Sequence, residues 1–153
     1  PEDVAIIISN SGRNAAPIEM ALEMKARGVK VVAITNLEQS KLSGSRDASG
    51  KKLFQLADVT IDNCVPAGDA LLDLPGLASR IGPSSTVAGA AIINSVIIEA
   101  VVELLRRGAT VPVLPSANVE GVSEETLRNI LAPYKGRIKY LDVDQLAAVD
   151  HAD

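Results

Sequence analysis

Val4-Ala5-Ile6-Ile7-Ile8-Ser9-Asn10-Ser11-Gly12-Arg13-Asn14-Ala15-Ala16-Pro17-Ile18-Glu19 reads as a strand, a tight polar loop and the start of a helix. Val4–Ile8 is β-branched or alanine throughout and carries no charge. Such near-continuous apolar runs belong to parallel strands covered on both faces. Pro17 suits a first helical turn, where its missing N–H costs nothing. The backbone N–H groups at a helix start lack intrahelical partners, and the helix dipole favours negative charge there. Ser9, Ser11 and Asn14 add side-chain donors, and Gly12 lets the backbone come close. The loop therefore reads as a phosphate cradle, with Arg13 either facing the anion or simply solvated. The plainer alternative is a turn followed by an N-cap. The strand before the loop, the helix after it and the next strand favour the cradle.

Strands and helices alternate outward from this point. The first helix is expected over residues 15–27, with Ile18, Ala21 and Leu22 on one face and Gly28 closing it. Met20 and Met24 lie one turn apart and read as core. Lys30–Thr35 is a second strand. Asn36–Gly50 is polar and reads as a loop, Lys51–Ala57 as a short helix and Asp58–Asp62 as a third strand. Residues 63–83 contain Pro66, Gly68, Pro75, Gly76, Gly82 and Pro83 and read as a long irregular connection. Ser84, Ser85 and Thr86 open the longest helix, which runs to about Arg107, with Gly108 closing it. Thr110–Leu114 is expected to be a fourth strand. Ser123 caps a further helix that Gly136 ends, and Arg137–Leu141 is expected to be a last strand. The βαβ order predicts an α/β fold, a three-layer sandwich with a parallel sheet. Ligands of such sheets bind at the carboxyl ends of the strands, where Ser9, Ser11, Thr35, Asn36 and Asn63 fall.

Composition narrows the classes. The 153 residues are 47% hydrophobic but only 2% aromatic, so the core is built from Val, Ile, Leu and Ala. The net charge of −4 argues against direct nucleic-acid binding. Asn94, Ser95, Glu99 and Glu103 interrupt the apolar stretch 84–107, so no membrane span is indicated. Cys64 is the only cysteine and His151 the only histidine. No metal site is expected, and a single cysteine fits a cytoplasmic setting. Cys64 reads as a small buried apolar residue.

Ser9-Asn10-Ser11-Gly12-Arg13-Asn14 resembles the Ser-x-Ser-Gly-x-Thr loop of SIS (sugar isomerase) domains, with Asn14 where Thr is usual. Together with Gly28-Val29-Lys30-Val31-Val32-Ala33-Ile34-Thr35, it is similar to the UPF0309 subgroup. The resemblance runs from about Val4 to Leu141, the span expected to form one domain, 1–141, followed by a polar tail, 142–153. It covers only the C-terminal half of the family's proteins. It implies a phosphorylated sugar as ligand, held by Ser9, Asn10, Ser11, Gly12, Arg13 and Asn14. Gly82-Pro83-Ser84-Ser85-Thr86 resembles the start of the family's long helix, which implies that Ser84, Ser85 and Thr86 line the same pocket. A homodimer is implied, and no cofactor. Asp47 stands where the subgroup carries a histidine after Ser45-Arg46.

Isomerisation of an aldose or ketose phosphate needs an acid/base group. Glu19, one turn into the first helix, and Glu99, within the long helix, are the candidates, although a solvated or interface carboxylate explains either. Three readings stay open: an SIS phosphosugar binder with isomerase activity in the parent protein, a non-catalytic sugar-phosphate sensor, and a flavodoxin-like or Rossmann nucleotide binder. The third lacks Gly-x-Gly-x-x-Gly and has Thr35-Asn36, not an acid, at the end of its second strand.

Overall fold

The structure is a computed structural model that describes residues 3–116, 121 and 123–137. Its contacts divide the chain into two units, residues 1–98 and 99–153.

The first unit is a mixed α/β fold around a three-stranded parallel sheet in the order β1-β2-β3, with β1 Val4–Ile8, β2 Lys30–Thr35 and β3 Val59–Asp62. Ile6 pairs with Val32, and Val32 with Val59. Helix α1, Ala15–Ala26, makes the first crossover. The central strand is the most deeply covered: Val31, Ala33, Ile34 and Thr35 are fully buried. α1 and the short helix α3, Leu53–Leu56, cover one face of the sheet. Ile18 and Ala21 of α1 and Leu53 and Leu56 of α3 pack with Ile7, Val31 and Ala33. Met24 packs at the margin of this core, whereas Met20 is exposed. Successive residues of a strand point to opposite faces. Val4, Ile6 and Ile8 therefore lie on the other face and are exposed.

Two connections are more ordered than the sequence suggests. Within Asn36–Gly50, expected to be loop, residues Leu37–Leu42 form helix α2. The cause is local: Asn36 Oδ1 accepts the Gln39 N–H at 2.7 Å, an N-cap bond. Within residues 63–83, expected to be irregular, β4 (Ala70–Leu72) pairs antiparallel with β5 (Ile81–Pro83). Its residues 71–83 are exposed.

The long helix α4 spans Ser85–Arg106. Gly89 lies against β1, where an added Cβ would stand 3.3 Å from Ile8 Cγ2. By length and composition α4 is long and apolar enough to cross a membrane, and almost none of its most apolar stretch is buried. Asn94 Nδ2 and Ser95 Oγ donate back to the carbonyls of Ala90 and Ala91 at 2.8 and 2.9 Å, which masks two of the four interruptions.

In the second unit Thr110–Leu114 is not a strand; it pairs with no other strand among the described residues. Pro112, at its centre, has no N–H to give a ladder. Helix α5 is Glu124–Leu131. Its N-cap is as expected: Ser123 Oγ accepts the Thr126 N–H at 3.2 Å. The helix stops before Gly136, in a 3-10 turn over Ala132–Tyr134 that contains Pro133. The expected strand after Arg137, the tail 142–153 and His151 lie outside the described residues.

The start of α4 differs from the expected serine cap. The Asp69 carboxylate, at the base of the β4–β5 hairpin, takes that place. Its Oδ1 accepts the N–H groups of Ser84 and Ser85 at 2.9 and 2.6 Å, and its Oδ2 accepts the Ser85 hydroxyl at 2.7 Å. Asp69 holds a left-handed backbone, φ 70°, to do so. The Ser85 hydroxyl, with the Ser85 and Ser84 N–H groups, holds its carboxyl below the usual range. Asp58 is lowered too, by the Val31 N–H and then Lys30. A depressed folded-state pKa stabilises the fold above the unfolded carboxylate value, and that contribution is lost as pH falls through the folded value. Asp69→Asn is therefore expected to destabilise the protein at neutral pH by about 0.5–1 kcal/mol, the worth of a carboxylate at a helix start. The gap from the parent should close as pH falls from about 5 downward. Thermal melts across that range check this; identical melts at pH 7 would remove Asp69 as the cap.

Candidate functional site

The site is built where β1 turns into α1. The ladder reaches Ser9, whose N–H donates to Ile34 O at 3.0 Å. Asn10 then binds the strand ends together. Its carbonyl accepts the Asn36 N–H at 2.8 Å and the Thr35 hydroxyl at 3.0 Å. Its carboxamide accepts from Asn63 Nδ2 at 2.9 Å and donates to Gln39 Oε1 at 3.3 Å. Asn36 is itself held, through Nδ2, by the Val65 carbonyl. Asn10, expected among the ligand contacts, is thus a strut joining the ends of β1, β2 and β3.

Gly12 makes the turn at φ +56°. A Cβ there would stand 2.9 Å from Thr35 Oγ1, 3.1 Å from Ser40 Oγ and 3.4 Å from Leu53 Cβ. The glycine is needed because the loop packs down on the protein, a reason that the sequence reading had given to the ligand. The next segments close over it. Gly12 O accepts the Leu53 N–H at 2.9 Å, and Arg13 O accepts the Arg46 N–H at 2.8 Å. Lys52 Nζ anchors the segment between them on three carbonyls near the end of α2: Ser40 at 2.6 Å, Ser43 at 3.0 Å and Lys41 at 3.2 Å. A cation there also complements the helix dipole.

Other polar groups of the loop are left without partners. The hydroxyls of half-buried Ser9 and Ser11 have no partner among the described residues. Asn14 is the N-cap of α1 by backbone geometry, yet its side chain makes no cap bond. Its Oδ1 instead accepts from Arg46 Nη1 at 3.4 Å, which leaves its NH₂ group free. Arg13 is half-buried, and its Nε is enclosed without a hydrogen-bond partner. The first turn of α1 has no acidic residue. Free hydroxyls, an amide donor, a guanidinium and the first N–H groups of α1 can together hold a tetrahedral anion.

The other expected residues are placed differently. Ser84 and Ser85 give their hydroxyls to Asp69, and Thr86 is exposed. Glu19 and Glu99 are exposed helix residues. Asp47 makes its own turn, accepting the Ser49 N–H at 2.9 Å, and its carboxyl is lowered by the Ser49 hydroxyl and N–H. Cys64 is exposed rather than buried, because it follows β3 in a left-handed turn at φ 52°, with its N–H on Asp62 Oδ1 at 3.1 Å. Beside it opens a cleft of about 270 Å³ lined by Asn36, Glu38, Asp62, Cys64 and Val65. Two carboxylates in its wall disfavour an anion. Among the described residues, no group of three His, Cys, Asp or Glu could hold a metal ion.

Sequence reasoning placed Asn63 at the strand ends beside the loop but missed Gln39 and Arg46 as partners of the loop. Asn36 with Gln39 three residues on was a readable helix start. Arg46 carries no local signal, being 32 residues from the group that it meets.

The geometry at Gly12 yields a direct expectation. Gly12→Ala forces a Cβ into the contacts with Thr35 and Ser40 and strains a positive φ. It should lower stability by about 1–3 kcal/mol, the usual cost of overpacking. Urea unfolding measures this, and an unchanged midpoint would contradict the close packing.

Comparison with known proteins agrees with this fold. Residues 1–36, which include β1, the loop and α1, match the model of the SIS domain. A UPF0309 protein of Geobacillus kaustophilus is 43% identical over 141 residues, which are 92% of this chain and 56% of that protein. One from Thermoanaerobacter pseudethanolicus is 44% identical over 142 residues, 92% of this chain and 57% of its own length. One from Listeria monocytogenes is 41% identical over 121 residues, 79% and 52%. The chain thus spans about half the length of the curated relatives it matches. Over the length it shares with them, this chain is similar to the UPF0309 proteins, and its first 36 residues are similar to the SIS domain.

Proposed function

We propose that the chain binds a phosphorylated sugar, with the phosphate on the loop Ser9–Asn14 at the start of α1. The observation that carries this reading is the contrast within one loop. Asn10 and Gly12 are bonded or packed on the protein, while the hydroxyls of Ser9 and Ser11 and the NH₂ of Asn14 have no protein partner among the described residues. The SIS match over the same residues supports it. Ser84 and Ser85 are left out of the contact set, because their donors are engaged by Asp69.

The reading is of binding, not turnover. Proton transfer between adjacent carbons needs a positioned base. Glu19 and Glu99 are exposed on helices, and Asp47 is tied into its own turn. Isomerase activity is proposed for the longer relatives, and a sensor-like role for the part seen here. The exposed apolar residues of β1 and α4, among them Ile6, Ile8, Ile97 and Ile98, favour association with a second copy.

Ser9→Ala combined with Ser11→Ala is expected to weaken binding of a hexose or pentose phosphate by about 2–4 kcal/mol, from two charge-assisted hydrogen bonds. Calorimetry showing equal affinity for parent and double variant would overturn the cradle. An assay against aldose and ketose phosphates, run beside light scattering, should find no turnover and an associated chain. Efficient turnover by a monomer would refute the binding-only reading.

A further inference from the structure

Arg13 and Arg46 are 33 positions apart in sequence, yet the fold joins them. The Arg46 N–H donates to the Arg13 carbonyl at 2.8 Å, so the two backbones touch. The Arg46 side chain then reaches the start of α1, where Nη1 meets Asn14 Oδ1 at 3.4 Å. Neither guanidinium forms an ion pair among the described residues. The nearest acid in sequence, Asp47, directs its carboxylate to Ser49. The enclosed Nε of Arg13 has no hydrogen-bond partner.

This is the wrong electrostatics for a helix start. The N-terminus of a helix is its positive end and is stabilised by acidic side chains. α1 has none in its first turn, and the Arg46 guanidinium stands beside its N-cap residue instead. A cation at the positive end of a dipole disfavours the empty state, and a bound anion relieves that repulsion. Guanidinium also matches the fork of phosphate oxygens, which an ammonium does not.

We propose that Arg46 and Arg13 form a two-guanidinium clamp that selects a phosphate dianion over a singly charged ester at the start of α1. This rests on the phosphosugar reading and names a contact and an ionisation state beyond it. Arg46 closes on the anion from the segment that Lys52 anchors, while Arg13 holds it from the loop. Asn14, its oxygen held by Arg46, presents its NH₂ to the same anion.

The test uses a hexose 6-phosphate and the matching hexose 6-sulfate, which has the same shape and one charge less. Calorimetry on the whole chain compares the parent with Arg46→Ala, Arg46→Lys and Arg13→Ala. The parent is expected to prefer the phosphate. Arg46→Ala should lose about tenfold or more of the phosphate affinity and little of the sulfate affinity, in line with one charged hydrogen bond. Arg46→Lys should restore part of the charge preference, and Arg13→Ala should reduce it. Melts without ligand separate the clamp from a structural role: Arg46→Ala should be as stable as the parent or more so, because it removes repulsion. A parent that binds neither ester overturns the phosphosugar reading and the clamp with it. A parent that binds while Arg46→Ala keeps the same phosphate-to-sulfate ratio overturns the clamp alone. A ligand-free Arg46→Ala that is markedly less stable, with that ratio intact, makes Arg46 a strut.

Discussion

The descent of Gly12 onto Thr35 and Ser40 is the contact on which the strand ends depend. It places a left-handed turn in space that a side chain would fill. The turn directs the Gly12 and Arg13 carbonyls to Leu53 and Arg46, so two later segments are fixed by the first loop. It also sets the direction in which α1 leaves. Asn10 adds the sideways restraint, bonded to Asn36 and Asn63 just after β2 and β3. The loop is therefore held from below and from the side of β2 and β3, with several of its donors left over. A site ordered before its ligand arrives loses little conformational freedom on binding.

Much of this was legible in the sequence because it is local. Val4–Ile8, Lys30–Thr35 and the long helix are written as uninterrupted patterns, and each lies within a residue or two of its expected bounds. The loop was legible because strand, glycine, polar residues and proline follow one another. Helix α2 was missed although its Asn36 cap is local; the other misses depend on pairing. β4 and β5 are three residues each and exist only through each other. Asp69 caps a helix that begins 16 residues later. Conversely, Thr110–Leu114 has the composition of a strand but no strand beside it among the described residues. Local patterns report propensity, and partners at a distance decide whether it is realised.

The two long-helix starts of the first unit show how one physical feature takes two roles. At α4 the positive end of the dipole is closed by the chain's own carboxylate, with hydroxyls turned inward to it. At α1 the same kind of end has the Arg46 guanidinium beside its N-cap residue and no acid in the first turn. Ser-rich helix starts look alike in sequence. The carboxylate that fills one and the cation beside the other become visible only in three dimensions.

The position of β1 has a consequence for how this polypeptide behaves in solution. Among the described residues it is an edge strand, and its outward face carries Val4, Ile6 and Ile8. Val-Ala-Ile-Ile-Ile has high β-propensity, no charge and no proline, the makeup of segments that stack into cross-β assemblies. Whatever lies along that edge also guards against fibril growth, so the strand that carries the ligand loop is also the one most in need of a neighbour.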